Sequence, residues 1–168
     1  TKNVDAVLNA GFGQGPAIVT KNFKQLNIKQ PLYQSHGVAS KKYIEIAGIA
    51  AEGVRLVAPP VVVASKLSND SPIKDVALSY KLEYEKVFND TVSSFGGHAY
   101  DALYAVVDAI KKTGSSKPSD IRNSIENMKN FIGVDGVVNM SSKDHLGLNT
   151  KSGMVLLEIQ NGDWKMID

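Results

Sequence analysis

The 168-residue chain contains no cysteine. That excludes disulfides, thiolate nucleophiles and cysteine-ligated metals together, and it suits an oxidising compartment as well as the cytosol. No apolar run approaches the roughly 18 residues that a membrane-spanning helix needs. Neither sign of charge is in real excess: 19 Lys and Arg against 17 Asp and Glu leave a net +2. No basic stripe is interleaved with aromatics, which argues against nucleic acid as a partner. The three histidines are His36, His98 and His145. No two of them stand at i,i+4, no H-E-x-x-H or acidic EF-hand loop occurs, and a metal site has no support. The nucleophile elbow G-x-S-x-G is also missing. The chain opens "TKNVDAVL" with neither Met nor the pattern of a signal peptide. A strand-like run starts almost at once, so the sequence reads as a piece of a longer one.

What is present is enough apolar material, 43% of residues, for one domain-sized core. Val4 to Ala10 reads as a buried strand and Gly11 to Gly15 as a turn. Pro16 suits the first helical position. The helix it opens carries Ile18, Val19, Phe23 and Leu26 on its apolar face, with Asn27 as the stop. "QPLYQS" is a second strand. Ser40 stands at the start of a short helix bearing Tyr43, Ile44 and Ala47, which Gly48 ends. "EGVRLVAPP" is a third strand, stopped by Pro59 and Pro60. Strand, helix, strand, helix, strand predicts a parallel sheet with right-handed crossovers.

From residue 65 the character changes. A polar loop, "SKLSNDSP", is followed by a helix from about Ile73 to Asn89 with Ala77, Tyr80, Tyr84, Val87 and Phe88 on one side. "SSFGG" breaks it. A stronger helix is expected from about His98 to Thr113, with Ala99, Leu103, Val106, Val107 and Ile110 as its stripe and Ala102, Ala105 and Ala109 as a small-residue flank. A third begins at Pro118 or Ser119 and turns Ile121, Ile125 and Met128 inward. These helices have no strand of their own to cover. "GVDGVVNMS" is a short strand or bend. "GMVLLEIQNGDWKMID" predicts a hairpin with Asn161-Gly162 in a type I′ turn.

The stretch "LNAGFGQGPAIV" suggests a phosphate cradle, but the match is poor. A dinucleotide fingerprint needs G-x-G-x-x-G and an acidic residue about 20 positions on. Here the spacing is G-x-G-x-G, and the next strand-like run ends in His36. The glycines demand a sharp turn and a close backbone approach. His36 follows the second strand at the end of the sheet where ligands of open α/β sheets bind, which brings it towards the glycine loop. It fits either a ligand contact or a polar loop residue. His98 fits either an anion contact at a helix start or a residue packed at a bend. His145, in "SSKDHLG", reads as solvated.

The order of these pieces resembles a known family. "DAVLNAGFGQGPAIVTKNFKQLNIKQPLYQSHGVAS", "AGIAAEGVRLVAPP", "FGGHAYDALYAVVDAIKKTGS" and "GVVNMSSKDHLGL" are similar to the second half of substrate-binding proteins of branched-chain amino acid ABC transporters, the type I periplasmic binding proteins. The resemblance implies an α/β fold, present in part. Residues 1–60 would be a parallel βαβαβ segment of the C-terminal lobe. Residues 61–132 would be helices of the N-terminal lobe. Residues 133–168 would return to the C-terminal lobe and end in a β-hairpin. Orphan helices follow from that division, and the fragment would self-associate or swap elements to cover them.

The resemblance also implies a binding protein without catalysis or cofactor, periplasmic, made with a signal peptide in its precursor, and working with ABC permease subunits in the membrane. Its ligand would be a small amino acid or organic acid held between the lobes. Phe12, Gly13 and Gln14 would line the cleft wall. The family usually carries an acid after the next strand, for the ligand's α-ammonium, and this chain has His36 there, followed by Gly37. A histidine does not replace a carboxylate against a cation, so an acid lacking the amino group fits better. Phe95, Gly96 and His98 match the stretch where the N-terminal-lobe helix meets the cleft. A sensor or regulatory domain of the same fold is the alternative, and a dinucleotide-dependent enzyme is a weaker one.

Overall fold

A computed structural model describes residues 4–167. Its main sheet begins with strands β1 (Val7–Asn9), β2 (Leu32–Gln34) and β3 (Arg55–Ala58), linked through helices α1 (Gly15–Gln25) and α2 (Lys41–Ala47). All three strands run parallel, with Val7 opposite Leu32 and Tyr33 opposite Arg55, as strand–helix alternation predicts. The sheet is completed from the far end of the sequence. Strand β6 (Val155–Gln160) lies antiparallel to β3, and β7 (Asp163–Met166) lies antiparallel to β6. Asn161 and Gly162 both have positive φ, 55° and 70°, the backbone that a type I′ turn requires. The Glu52 carboxylate accepts both of their amides, at 2.9 and 2.7 Å, and so ties the hairpin to the start of β3.

Helix α1 differs from expectation in the side it buries. Ile18, Val19 and Leu26 face outward, while Pro16, Ala17 and Thr20 are buried and Phe23 is half-buried. The reason is a polar contact that the apolar pattern conceals. Thr20 Oγ1 lies 2.7 Å from the Tyr43 hydroxyl, accepts from Gln34 Nε2 at 3.0 Å and donates to the Pro16 carbonyl at 2.9 Å. Two small side chains and this network set the helix close to β2 and α2. In α2, Tyr43, Ile44 and Ala47 are buried, and Gly48 ends the helix at φ 59°.

After Pro59 the chain forms a 3₁₀ segment, Pro60–Lys66, in which Val61 to Ala64 are buried. Against it packs α3 (Lys74–Phe88). Its Ala77 and Tyr80, with Ile73 just before it, join the same core as Leu56, Leu157 and Ile159. Helix α3 is therefore covered, contrary to the expectation that it lacks a surface. Its last turn is not: Val87 and Phe88 are exposed.

Helix α4 (Ser94–Thr113) starts four residues earlier than the sequence suggests. Ser93 caps it by accepting the Gly96 amide at 3.3 Å, so Gly96 and Gly97 lie inside the helix and do not break it. α5 (Pro118–Glu126) packs on α4. Along the expected stripe, Leu103 remains 61% exposed, Ala99 is exposed, and Val106, Val107 and Ile110 are half-buried. Two short strands, β4 (Phe131–Ile132) and β5 (Val137–Val138), form a separate antiparallel pair. A single helical turn, α6 (Thr150–Gly153), then leads into β6.

Candidate functional site

Three segments meet beyond the ends of β1 and β2. The loop after β1 is bound to the turn after β2 through Ser35, whose hydroxyl donates to the Gly11 carbonyl at 3.0 Å and accepts the Gly37 amide at 3.3 Å. The approach is close: a Cβ on Gly37 would lie 2.9 Å from that of Phe12 and 3.0 Å from the Gly11 oxygen. Glycine is required there by space. The start of α4 docks on the same turn. The Ser94 amide donates to the Ala39 carbonyl at 3.2 Å, and the Ser94 hydroxyl to the His36 carbonyl at 3.4 Å.

The eight residues singled out from sequence divide as follows. Phe12 is 79% exposed and Phe95 54% exposed. Gly13, at φ 72°, has open space beside it, and Gln14 stands exposed at the start of α1. Gly37 packs against Phe12. Gly96 lies beneath the Tyr80 hydroxyl, which would sit 2.7 Å from a Cβ there. His36 and His98 face each other edge to face, with ring centroids 6.0 Å apart. The structure thus pairs Phe12 with Gly37 and His36 with His98. His145 lies apart, 3.2 Å from Glu126.

The anchor of His98 escaped the sequence. Its Nδ1 lies 2.7 Å from Oδ2 of Asp135, which is 4% exposed. Apart from His98, neither oxygen of Asp135 has a hydrogen-bonding partner among the described residues. Asp101, one helical turn beyond His98, answers from α4: its carboxylate accepts the amides of Val134 at 2.7 Å and Asp135 at 3.0 Å. Helix and β4–β5 connection therefore hold each other by exchanged carboxylates. The His98–Asp101 spacing of three places both on one helix face and is visible in "HAYDA". Asp135 in "GVDGV" carries no local signal at all.

The electrostatics follow from this arrangement. The hydrogen bond to Asp135 raises the pKa of His98, and the imidazole's partial burial opposes it less strongly. Burial raises the pKa of Asp101, and its two amide hydrogen bonds only partly offset that. Behind the site runs an aromatic ladder. Tyr104, Tyr100, Tyr80, Tyr84 and Phe88 follow one another with centroids 4.3, 4.7, 5.8 and 4.7 Å apart. Burial and neighbouring Tyr104 push the Tyr100 phenol up to about 12.

A concavity of about 290 Å³ lies elsewhere, between α2, α3, the Pro60–Lys66 segment and β7. Its lysines are already engaged: Lys41 and Lys66 with Asp163, and Lys81 with Glu85.

A family model described as "Periplasmic binding protein" matches residues 1–163. Among solved structures, Rp1789 of Rhodopseudomonas palustris is 27% identical with a TM-score of 0.90, covering 98% of this chain and 48% of that one. An extracellular ligand-binding receptor from R. palustris HaA2 is 28% identical with a TM-score of 0.86 over the same shares. The leucine-binding protein LivK of Thermotoga maritima, at 23% identity and a TM-score of 0.80, covers 98% and 44% and shares the fold. Among curated proteins none matches the chain significantly. The chain spans about half the length of these solved relatives. It belongs to the periplasmic binding protein family and carries the type I fold of that family.

Proposed function

We propose that this chain is part of the solute-binding component of an ABC importer, acting in the periplasm, without catalysis of its own. On this reading residues 1–60 and 133–168 belong to one lobe. The 61–132 stretch starts on that lobe's core, where α3 packs, and reaches the other lobe with α4 and α5, and hinge closure traps the ligand between the lobes. The outward side of α4, with Leu103 and Tyr104 exposed, would be covered by strands of the second lobe. Where those are lacking, self-association would cover it.

The ligand is a small carboxylate-bearing molecule, and an acid without an α-ammonium suits the site best. The observation that carries this is the facing pair His36 and His98. Two imidazoles offer N–H donors to a carboxylate and nothing anionic to an ammonium. Calorimetry on the full-length protein with a matched pair tests it. 4-Methyl-2-oxopentanoate should bind more tightly than leucine, and His36→Ala should weaken the keto acid by at least a few-fold. Tight leucine binding with no response to the keto acid overturns the reading.

A further inference from the structure

Asp135 is a buried carboxylate with one partner, and that partner is half in solvent. Burying an anion is costly unless a cation answers it. Among the described residues only His98 does. Nδ1 must carry a proton to meet Oδ2 at 2.7 Å. A neutral imidazole would leave Asp135 as a solitary buried charge, with a lone pair on Nε2. A protonated one neutralises Asp135 and leaves Nε2–H as the only ring donor still free. Of the other groups around His98 one favours the cation, one is indifferent, and the facing imidazole would oppose it only when itself charged. Asp101 on its own helix is anionic, Tyr80 from α3 is neutral below its raised pKa, and His36 faces it from the turn after β2.

We propose that Asp135 is a positioning residue that holds His98 as a charged donor, so that Nε2–H of His98 binds the ligand carboxylate. This rests on the carboxylate reading above and adds the residue that sets its strength. The backbone commits to the same end. Asp101 holds the amide of residue 135 in place, and the absence of a side chain on Gly97 leaves room for the Asp135 carboxylate.

Two readouts on the full-length protein test it. The first is the His98 imidazole titration by NMR without ligand. In Asp135→Asn it should move down towards an ordinary histidine value. The second is the affinity for 4-methyl-2-oxopentanoate as a function of pH. In the wild type it should fall about tenfold per pH unit once His98 has lost its proton. Asp135→Asn should weaken binding about tenfold or more at pH 6 and move the onset of that fall to lower pH. His98→Gln, which keeps a side-chain donor but cannot titrate, should bind weakly with no such pH dependence, and circular dichroism on both variants checks folding. Keto-acid affinity that is flat with pH and indifferent to Asp135→Asn overturns this inference alone. Failure of any carboxylate probe to bind overturns it together with the reading it rests on.

Discussion

The carboxylate of Asp135 occupies the space where a side chain on Gly97 would begin: a Cβ there would lie 2.6 Å from Oδ1 and 2.9 Å from Oδ2. Gly97→Ala must therefore push Asp135 away from His98. Alanine gains up to about 1 kcal/mol in helix propensity, but overpacking a buried site costs about 1–3 kcal/mol. A net loss of stability is expected in urea unfolding, together with a lower His98 pKa. A variant as stable as the wild type with an unchanged imidazole titration would show that the contact has slack.

The same pair makes stability depend on pH in a definite direction. The folded pKa of His98 lies above its ordinary value of 6.5. Its contribution is fully present below about pH 6.5 and is lost as pH rises through the folded pKa. Urea midpoints taken from pH 6 to 9 should fall, and should fall less in Asp135→Asn. Equal slopes in the two proteins would contradict the pairing.

Asp163 works in the opposite sense. Burial raises its pKa, but hydrogen bonds from Lys41 and Lys66 outweigh that and hold it at about 2. Its contribution is present above about pH 4 and is lost as pH falls towards 2. Since half of the side chain is exposed, screening reduces the effect to about 1 kcal/mol. Acid unfolding of Asp163→Asn, compared with the wild type between pH 5 and 2, should show the difference close as pH drops.

Thr20→Val removes the central atom of a buried network. Gln34 Nε2 and the Tyr43 hydroxyl lose their partner while the shape is kept. Leaving a buried polar group unsatisfied costs about 1–3 kcal/mol. Thermal or urea denaturation should register that loss, and a neutral result would mean the network reforms without the hydroxyl.

The apolar side of α4 gives a prediction about assembly. At micromolar concentration this chain alone should sediment as a dimer or larger, and Leu103→Lys should shift it towards monomer. A compact wild-type monomer would count against self-association.

What was legible in the sequence was what punctuation residues specify. Pro16, Gly48, Pro59 and the Asn161-Gly162 pair mark boundaries by their own backbone chemistry, and β1 to β3 and the hairpin lie where those marks put them. Periodicity alone did worse. In α1 it selected Ile18 and Val19, because a hydroxyl that packs inward through hydrogen bonds has no apolar signature. At α4, Gly96 and Gly97 looked like breakers, whereas the neighbours they accommodate, Tyr80 and Asp135, arrive from 16 and 38 residues away along the chain. At the candidate site His36 and His98 were visible as residue types at element ends. Asp135 was not, since its significance lies wholly in a distant partner.

The pairing of β3 with β6 bears on how the molecule is made. Arg55 meets Glu158, a residue 103 positions further along the chain. During synthesis β1, β2 and β3 are complete long before their antiparallel neighbour exists, and the free margin of β3 stays open throughout. Closing so long a loop is slow, and an open strand margin recruits wrong partners. The strands that seal the sheet thus emerge about a hundred residues after the strand they seal. A chain without β6 and β7 would lose more than two strands: it would be left with a permanently unsealed template for aggregation.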